Sequence, residues 1–162
     1  MPPLIILAII TGLPLLLAIL LRVKPLYLFV SLVTGYFWAE FLGDSAGLLV
    51  GTFTDVSNTD VITNVFLLLI PVLLTYIIMR KTLSAASLPF QFILLVADSL
   101  LLATFLLPLL TPGLQGSIYL TDAGNIMRKS QDIIIVTVAG MHLLVMFLMR
   151  PKSHSKHGKR HK

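Results

Sequence analysis

Five long apolar segments, separated by short polar connections, dominate this sequence and constrain its fold more than any other feature. A bilayer core about 30 Å thick is crossed by about 20 helical residues, and each segment approaches or reaches that length. Backbone polar groups inside lipid must be hydrogen-bonded within the segment, so each one predicts a transmembrane helix. The segments are residues 4–21, 25–42, 61–79, 89–110 and 133–149.

The composition fits a membrane protein. Hydrophobic residues make up 57% of the 162-residue chain and charged residues 12%, whereas soluble domains carry about 25% charge. Long apolar blocks, rather than short alternating strands, exclude a β-barrel. We therefore predict an all-α, polytopic membrane bundle of five transmembrane helices over residues 1–150, followed by a disordered basic cytoplasmic tail over 151–162. The alternative is four transmembrane helices plus an interfacial segment.

Lysine and arginine positions predict the orientation, because short basic loops stay on the cytoplasmic side. Basic residues follow the first segment at Arg22 to Lys24 and the third at Arg80-Lys81, whereas the connection after the second segment has none. With the basic tail, this pattern predicts an outside N-terminus and a cytoplasmic C-terminus. Arg128-Lys129 is the exception. No basic residue precedes the first segment, so we expect it to remain as a helix and not to be removed as a signal peptide.

Small residues recur at every fourth position through the second segment and beyond it, at Gly35, Ala39, Gly43, Gly47 and Gly51. On a helix they form one ridge, and such ridges let helices approach closely in lipid. We interpret the ridge as a helix-packing surface within the chain, with self-association or a pore lining as alternatives. Because the ridge outlasts the expected span, the helix is either long and tilted or breaks near Gly43 and continues as an interfacial or re-entrant helix. The connection 111–132 could likewise lie along the interface or re-enter.

Two ionisable residues interrupt the last two apolar segments. Asp98 and His142 lie about 13 and 12 Å from the predicted cytoplasmic ends at 1.5 Å per residue, so their depths match on antiparallel neighbours. We predict that they meet as an intramembrane polar pair, with Ser99 or Thr34 as additional hydrogen-bonding partners. The pair is either a polar clamp that fixes helix register or a proton or cation relay.

The C-terminal segment carries six basic residues that predict contact with anionic lipid headgroups, at about 1 kcal/mol per residue near the surface. These are Arg150, Lys152, Lys156, Lys159, Arg160 and Lys162. The surrounding cations disfavour metal binding by the three tail histidines. No aromatic residues interleave to stack bases, so no specific nucleic acid is expected. The predicted partners are membrane lipids, with self-association or another membrane protein as further possibilities.

The sequence lacks several motifs for chemistry. It contains no phosphate-binding glycine loop and no His-Glu-x-x-His, and it has no cysteine for a nucleophile, disulfide or thiolate metal site. We expect no catalytic residues, no cofactor and no metal. The predicted function is a non-enzymatic scaffold or accessory subunit of a membrane complex. The alternative is a small transporter or channel subunit that uses Asp98 and His142.

The layout resembles the colicin V production protein family over roughly residues 4–112. The similarity rests on the basic turn Arg22 to Lys24, the small-residue helix Ser31-Leu32-Val33-Thr34-Gly35-Tyr36-Phe37, the closing Arg80-Lys81 and a fourth helix up to Pro108. It departs from that family at Lys24-Pro25 and Asp98, and the fifth helix and tail are additions. The resemblance implies an inner-membrane protein linked to envelope maintenance or peptide toxin export, with no agreed enzymatic activity.

Overall fold

The computed structural model describes residues 2–53, 58–82 and 88–148, and these are all-α, without a β-strand in any of the three ranges. Seven α-helices follow one another in them, with a 3-10 turn at Leu107–Leu109 after the fourth. They are α1 Pro3–Leu21, α2 Pro25–Phe53, α3 Thr59–Ile78, α4 Leu88–Leu106, α5 Pro112–Tyr119, α6 Asp122–Lys129 and α7 Gln131–Leu148.

Five of the helices, namely α1, α2, α3, α4 with its 3-10 turn, and α7, are long and apolar enough to cross a bilayer. This confirms the predicted all-α class and the five long apolar helices. Four of the five predicted segments agree with the helix bounds within a few residues. The fourth helix tightens into its 3-10 turn at Pro108, which has no backbone N–H with which to continue α-helical bonding.

The predicted end of the second segment at residue 42 is wrong, because α2 continues without a break to Phe53. Its 29 residues span about 43 Å, more than a bilayer core needs. Of the two alternatives, the helix is therefore long and does not break near Gly43. Glycine weakens an isolated helix, but Gly43 and Gly47 are buried against α3, and this packing compensates for their low helix propensity.

The connection 111–132 forms two short helices, α5 and α6. The side-chain hydroxyl of Thr121 caps α6 by accepting a hydrogen bond from the N–H of Gly124 at 3.1 Å. Met127 and Gly124 of α6 are buried, whereas Arg128 and Lys129 are exposed. This connection is thus helical and amphipathic.

Helix α4 is the centre of the bundle. In its most apolar stretch 61% of residues are buried, against 6% for α1 and 17% for α7. It packs against α1, α2 and α7, while α2 and α3 form the most extensive helix pair. Leu28, Leu32, Leu68, Leu95 and Leu102 belong to the core that these helices share. Because α4 carries Asp98, that carboxyl group lies in the middle of the protein.

Candidate functional site: a buried carboxylate and imidazole

Asp98 of α4 and His142 of α7 lie next to each other in the core. The Nε2 atom of His142 is 3.3 Å from Oδ1 of Asp98. Asp98 is 2% exposed and His142 is completely buried, so neither side chain reaches the surface. The structure thus brings together the two ionisable residues whose depths match in the sequence.

The contacts of His142 restrict where its protons lie. Its Nδ1 atom is 3.0 Å from the carbonyl oxygen of Val138, which can only accept, so Nδ1 carries a proton. The other nitrogen then needs one further proton to make its contact with Asp98 favourable. That proton belongs either to Nε2 of an imidazolium or to the carboxyl group of Asp98. With a proton on either group, the pair would have no net charge.

A third helix contributes Phe29, which stacks on His142 with ring centroids 4.4 Å apart and planes inclined by 10°. The ring of Phe29 covers one face of the imidazole, while Asp98 and Val138 contact its two nitrogen atoms. This contact could not be predicted from the sequence, because Phe29 lies among other apolar residues of α2 and nothing distinguishes it from a lipid-facing side chain.

The carboxylate of Asp98 is incompletely satisfied. Neither of its oxygens makes a hydrogen bond of good geometry to another described group, although one lies at ion-pair distance from His142. Asp98 also lines a cavity of about 10 Å³ together with Tyr76 and Ser99. A cavity of this size holds about one water molecule, and buried water commonly satisfies such polar atoms.

Hydroxyl groups beside the pair bind helix α1 around Pro14. Pro14 has no N–H, so the carbonyl group one turn earlier loses its usual helical donor. The hydroxyl of Ser99 donates to the carbonyl oxygen of Thr11, and the hydroxyl of Tyr76 donates to the carbonyl oxygen of Pro14 at 2.8 Å. Neither acceptor is the carbonyl group of Ile10, which is the one that Pro14 leaves without a donor; the two bonds instead hold α1 against α3 and α4 near Pro14.

The expected additional partners of the pair are therefore wrong. The hydroxyl of Ser99 is engaged with Thr11, and the hydroxyl of Thr34 donates to the carbonyl oxygen of Val30 at 2.8 Å within its own helix. Neither hydroxyl bonds to Asp98 or His142. Sequence spacing gave their depth in the bundle but not the direction of each side chain around its helix.

A second cavity, of about 110 Å³, leads from the basic turn after α1 to His142. Lys24 and Tyr27 lie at its outer part, and Leu94, Val145 and His142 line it further in. Lys24 is half-buried and Tyr27 is exposed, whereas His142 exposes no surface. The cavity thus approaches the pair from the end of the bundle that carries Lys24, but it ends at the imidazole ring.

Four members of the small-residue ridge, Gly35, Ala39, Gly43 and Gly47, are buried. A Cβ atom at Gly35 would overlap the backbone carbonyl group of Leu68, and one at Gly43 or Gly47 would overlap the side chain of Asn64 or Asp60. The ridge thus packs against α3 within the chain.

Gly51, the last member of the ridge, differs from the other four. It is exposed and would have nothing within 4 Å of an added Cβ atom, so it takes no part in the packing against α3. The reason is that α2 extends beyond the part of α3 that it contacts, while the four-residue spacing continues in the sequence.

The predicted lipid-headgroup residues Arg150, Lys152, Lys156, Lys159, Arg160 and Lys162 lie outside the described residues. So do the three tail histidines. Within the described ranges, no three His, Asp or Glu side chains are grouped closely enough to hold a metal ion.

Comparison of the chain with protein-family models, with curated proteins and with solved structures finds no match. The five apolar helices are compatible with a membrane location.

Proposed function

We propose that this chain is a non-enzymatic, multi-pass membrane protein that acts as a scaffold or accessory subunit of a membrane complex. The observation that carries the proposal is the burial of the Asp98–His142 pair. The pair joins α4 to α7 and has almost no exposed surface. Such a pair suits the holding of helices better than the turnover of a substrate. A role in envelope maintenance or peptide export follows only from the resemblance in layout and stays a prediction.

The contact of α7 with the bundle supports the interpretation of the pair as a clamp. Three buried side chains of α7, Val138, His142 and Val145, are spaced by four and three residues and form one narrow stripe. Apolar burial gives little net drive to helix association in lipid, so a polar contact within the stripe matters more than it would in water. Interhelical polar contacts in membranes contribute about 0.6 to 2 kcal/mol.

The proposed orientation has the N-terminus outside and the C-terminus in the cytoplasm. Two hydrogen bonds support it by joining both basic turns at one end of the bundle. The N–H of Lys81 donates to the carbonyl oxygen of Leu21 at 2.8 Å, and the N–H of Lys24 donates to the hydroxyl of Thr82 at 3.2 Å. An end that carries two basic turns is the end that the positive-inside rule retains in the cytoplasm.

A scaffold should have a stoichiometric membrane partner. Photo-crosslinkers placed at exposed positions of α7, such as Val136 and Leu144, should capture one partner in intact cells, and removal of this chain should lower that partner's abundance. His142→Gln should preserve the complex, since glutamine keeps hydrogen-bonding capacity. A chain that purifies as a monomer in mild detergent and crosslinks to no protein would contradict the proposal.

The second candidate is a proton or cation site of a small transporter or channel subunit. It is favoured by the 3.3 Å contact between the two ionisable groups, by the unsatisfied oxygens of Asp98 and by the cavity that His142 lines. A buried carboxylate next to an imidazole inside a membrane is an arrangement that proton pathways use.

Proteoliposomes separate the two candidates. With a pH-sensitive dye inside, a transporter should show proton flux that His142→Gln abolishes, whereas a scaffold should show the same background flux before and after the substitution. Cysteine introduced at Leu94, which lines the cavity, should react with a small water-soluble thiol reagent only if water reaches the site. Cysteine at Ala103, which is buried elsewhere in the core, is the matched control.

A further inference from the structure

A large apolar groove opens on the side of the bundle, away from the polar pair. Its volume is about 560 Å³, and Leu7 and Thr11 of α1, Leu100 of α4, Met127 of α6 and Ile134 of α7 line it. Helices α1 and α7 both pack on α4, so the groove lies between them with α4 as its floor. Helix α6 lies at one end of this groove.

The position of the groove along α1 indicates which part of a bilayer it faces. It follows α1 from Leu4 to Thr11, which is about 10 Å of helix, starting at the N-terminal end. With five helices crossing the bilayer, this length lies within the hydrocarbon of the leaflet next to α5 and α6. A concave, apolar surface at that depth is filled by hydrocarbon, because water gains no hydrogen bonds there.

Helix α6 gives the groove a charged border. Ala123, Ile126, Met127 and Ser130 line the groove at spacings of three, one and three residues, which places them on one helical face. Lys129 is exposed and lies on the flank of that face, about 110° around the helix from its centre.

Arg128 lies on the far side of α6 and stacks over the ring of Tyr119, with its guanidinium carbon 5.2 Å from the ring centroid. It is also exposed. An amphipathic helix with cations on its polar side is typical of the boundary between acyl chains and headgroups.

We propose that this groove binds one acyl chain of an anionic phospholipid, with the headgroup phosphate next to Lys129. The inference rests on the proposed membrane-spanning arrangement and adds a specific lipid site to it. The apolar lining favours binding of the acyl chain, and Lys129 favours a negatively charged headgroup. The site also accounts for Lys129, one of the two basic residues that depart from the predicted orientation, since its charge would lie next to lipid phosphate at the outer boundary.

Photoreactive lipids provide the test. The full chain is reconstituted in nanodiscs with phosphatidylglycerol that carries a diazirine on its acyl chain, and crosslinked peptides are identified by mass spectrometry. We expect crosslinks concentrated in the peptides with Leu4 to Thr11 and Ala123 to Ile134. Ala8→Phe, which fills the groove, should reduce them at least fivefold. Leu20→Phe, at an exposed position of the same helix outside the groove, should leave them unchanged.

Two further crosslinking measurements separate the contribution of the headgroup charge from that of the acyl chain. Lys129→Gln should remove the preference for photoreactive phosphatidylglycerol over photoreactive phosphatidylcholine while leaving crosslinking to the groove itself. Unlabelled phosphatidylcholine with the same acyl chains should compete poorly with photoreactive phosphatidylglycerol, because its headgroup has no net negative charge.

Three results would overturn the proposal: crosslinks spread evenly over all lipid-facing helices, crosslinks unaffected by Ala8→Phe, or crosslinks from groove residues to a second polypeptide. Carbonate extraction of each variant shows separately whether the chain is in the membrane at all. A failed lipid site is thereby distinguished from a failed membrane assignment.

Discussion

At the scale of single residues, the distinctive feature of the protein is the buried pair of Asp98 and His142. The carbonyl oxygen of Val138 accepts from Nδ1 of His142, which leaves Nε2 facing Asp98 at 3.3 Å. Loss of either residue leaves a buried polar group without its partner. Such an orphaned group is more costly than the pair itself is stabilising.

We predict that His142→Leu destabilises the protein by about 3 to 5 kcal/mol, because it leaves the carboxyl group of Asp98 unpaired in the core. Asp98→Asn combined with His142→Gln should recover part of this loss through a neutral hydrogen bond. Denaturant unfolding in mixed micelles measures the stability of His142→Leu. The same method gives the double-mutant cycle formed by Asp98→Asn and His142→Gln. Leu143→Ala, on an exposed part of α7, is the control and should change stability by less than about 0.5 kcal/mol. Additive effects of the two single substitutions would contradict a direct interaction.

The members of this pair could be predicted from the sequence, but their surroundings could not. Asp98 and His142 each interrupt an apolar segment, and a count of residues places them at one depth. Phe29 and Tyr76 carry no such signal, because aromatic residues in an apolar helix face lipid or protein equally well. The choice of Ser99 as a partner failed because depth does not determine the direction of a side chain around its helix.

At the scale of helices, close backbone approach decides the packing of α2 on α3. Gly35 lies against the backbone of Leu68, where there is no room for a side chain. Gly51 belongs to the same sequence pattern but lies in open space. The two glycines therefore offer a matched comparison within one helix.

We predict that Gly35→Val forces α2 and α3 apart and destabilises the protein by about 1 to 3 kcal/mol, as overpacking does elsewhere. Gly51→Val, in the same helix, should change stability by less than about 0.5 kcal/mol. Thermal unfolding of the two variants in the same detergent measures the difference. Equal loss of stability in both would mean that helix propensity, and not the contact with Leu68, determines the effect.

A second prediction at this scale concerns the bond between α3 and the proline-containing α1. Tyr76→Phe removes the hydroxyl that donates to the carbonyl oxygen of Pro14, and the expected loss is about 0.5 to 1.5 kcal/mol. Tyr27→Phe is the control, since Tyr27 is exposed at the basic end of the bundle. Chemical denaturation in micelles compares the two. An unchanged stability for Tyr76→Phe would show that another group satisfies Pro14.

The five long helices followed from the sequence because lipid leaves few alternatives for a long apolar segment. The end of α2 could not be predicted in the same way. Hydropathy falls after Leu42, but the helix continues because Gly43 and Gly47 contact α3, and such tertiary contacts are not visible in local composition. The two short helices α5 and α6 were likewise left open, since each has only 8 residues.

At the scale of the whole molecule, the positions of the basic residues and the packing of the helices are both compatible with a bundle whose two basic turns lie at one end. The backbone hydrogen bond between Lys81 and Leu21 holds both basic turns together, and α5 and α6 follow the opposite end of α4. Arg128-Lys129 then lies at the non-basic end, on an amphipathic helix whose cations can remain at the headgroups without crossing the bilayer. The exception to the positive-inside pattern is thereby compatible with five crossings.

Single cysteines test this arrangement directly, because the chain has none of its own. Leu120→Cys, at a site that is 89% exposed between α5 and α6, should react with a membrane-impermeant maleimide in intact cells. Arg80→Cys, at the basic end, should react only after the membrane is permeabilised. The parent chain is the unreactive control. Labelling of Arg80→Cys in intact cells would reverse the orientation. Labelling of both variants there would mean that α4 does not cross the bilayer, since α4 separates the two sites.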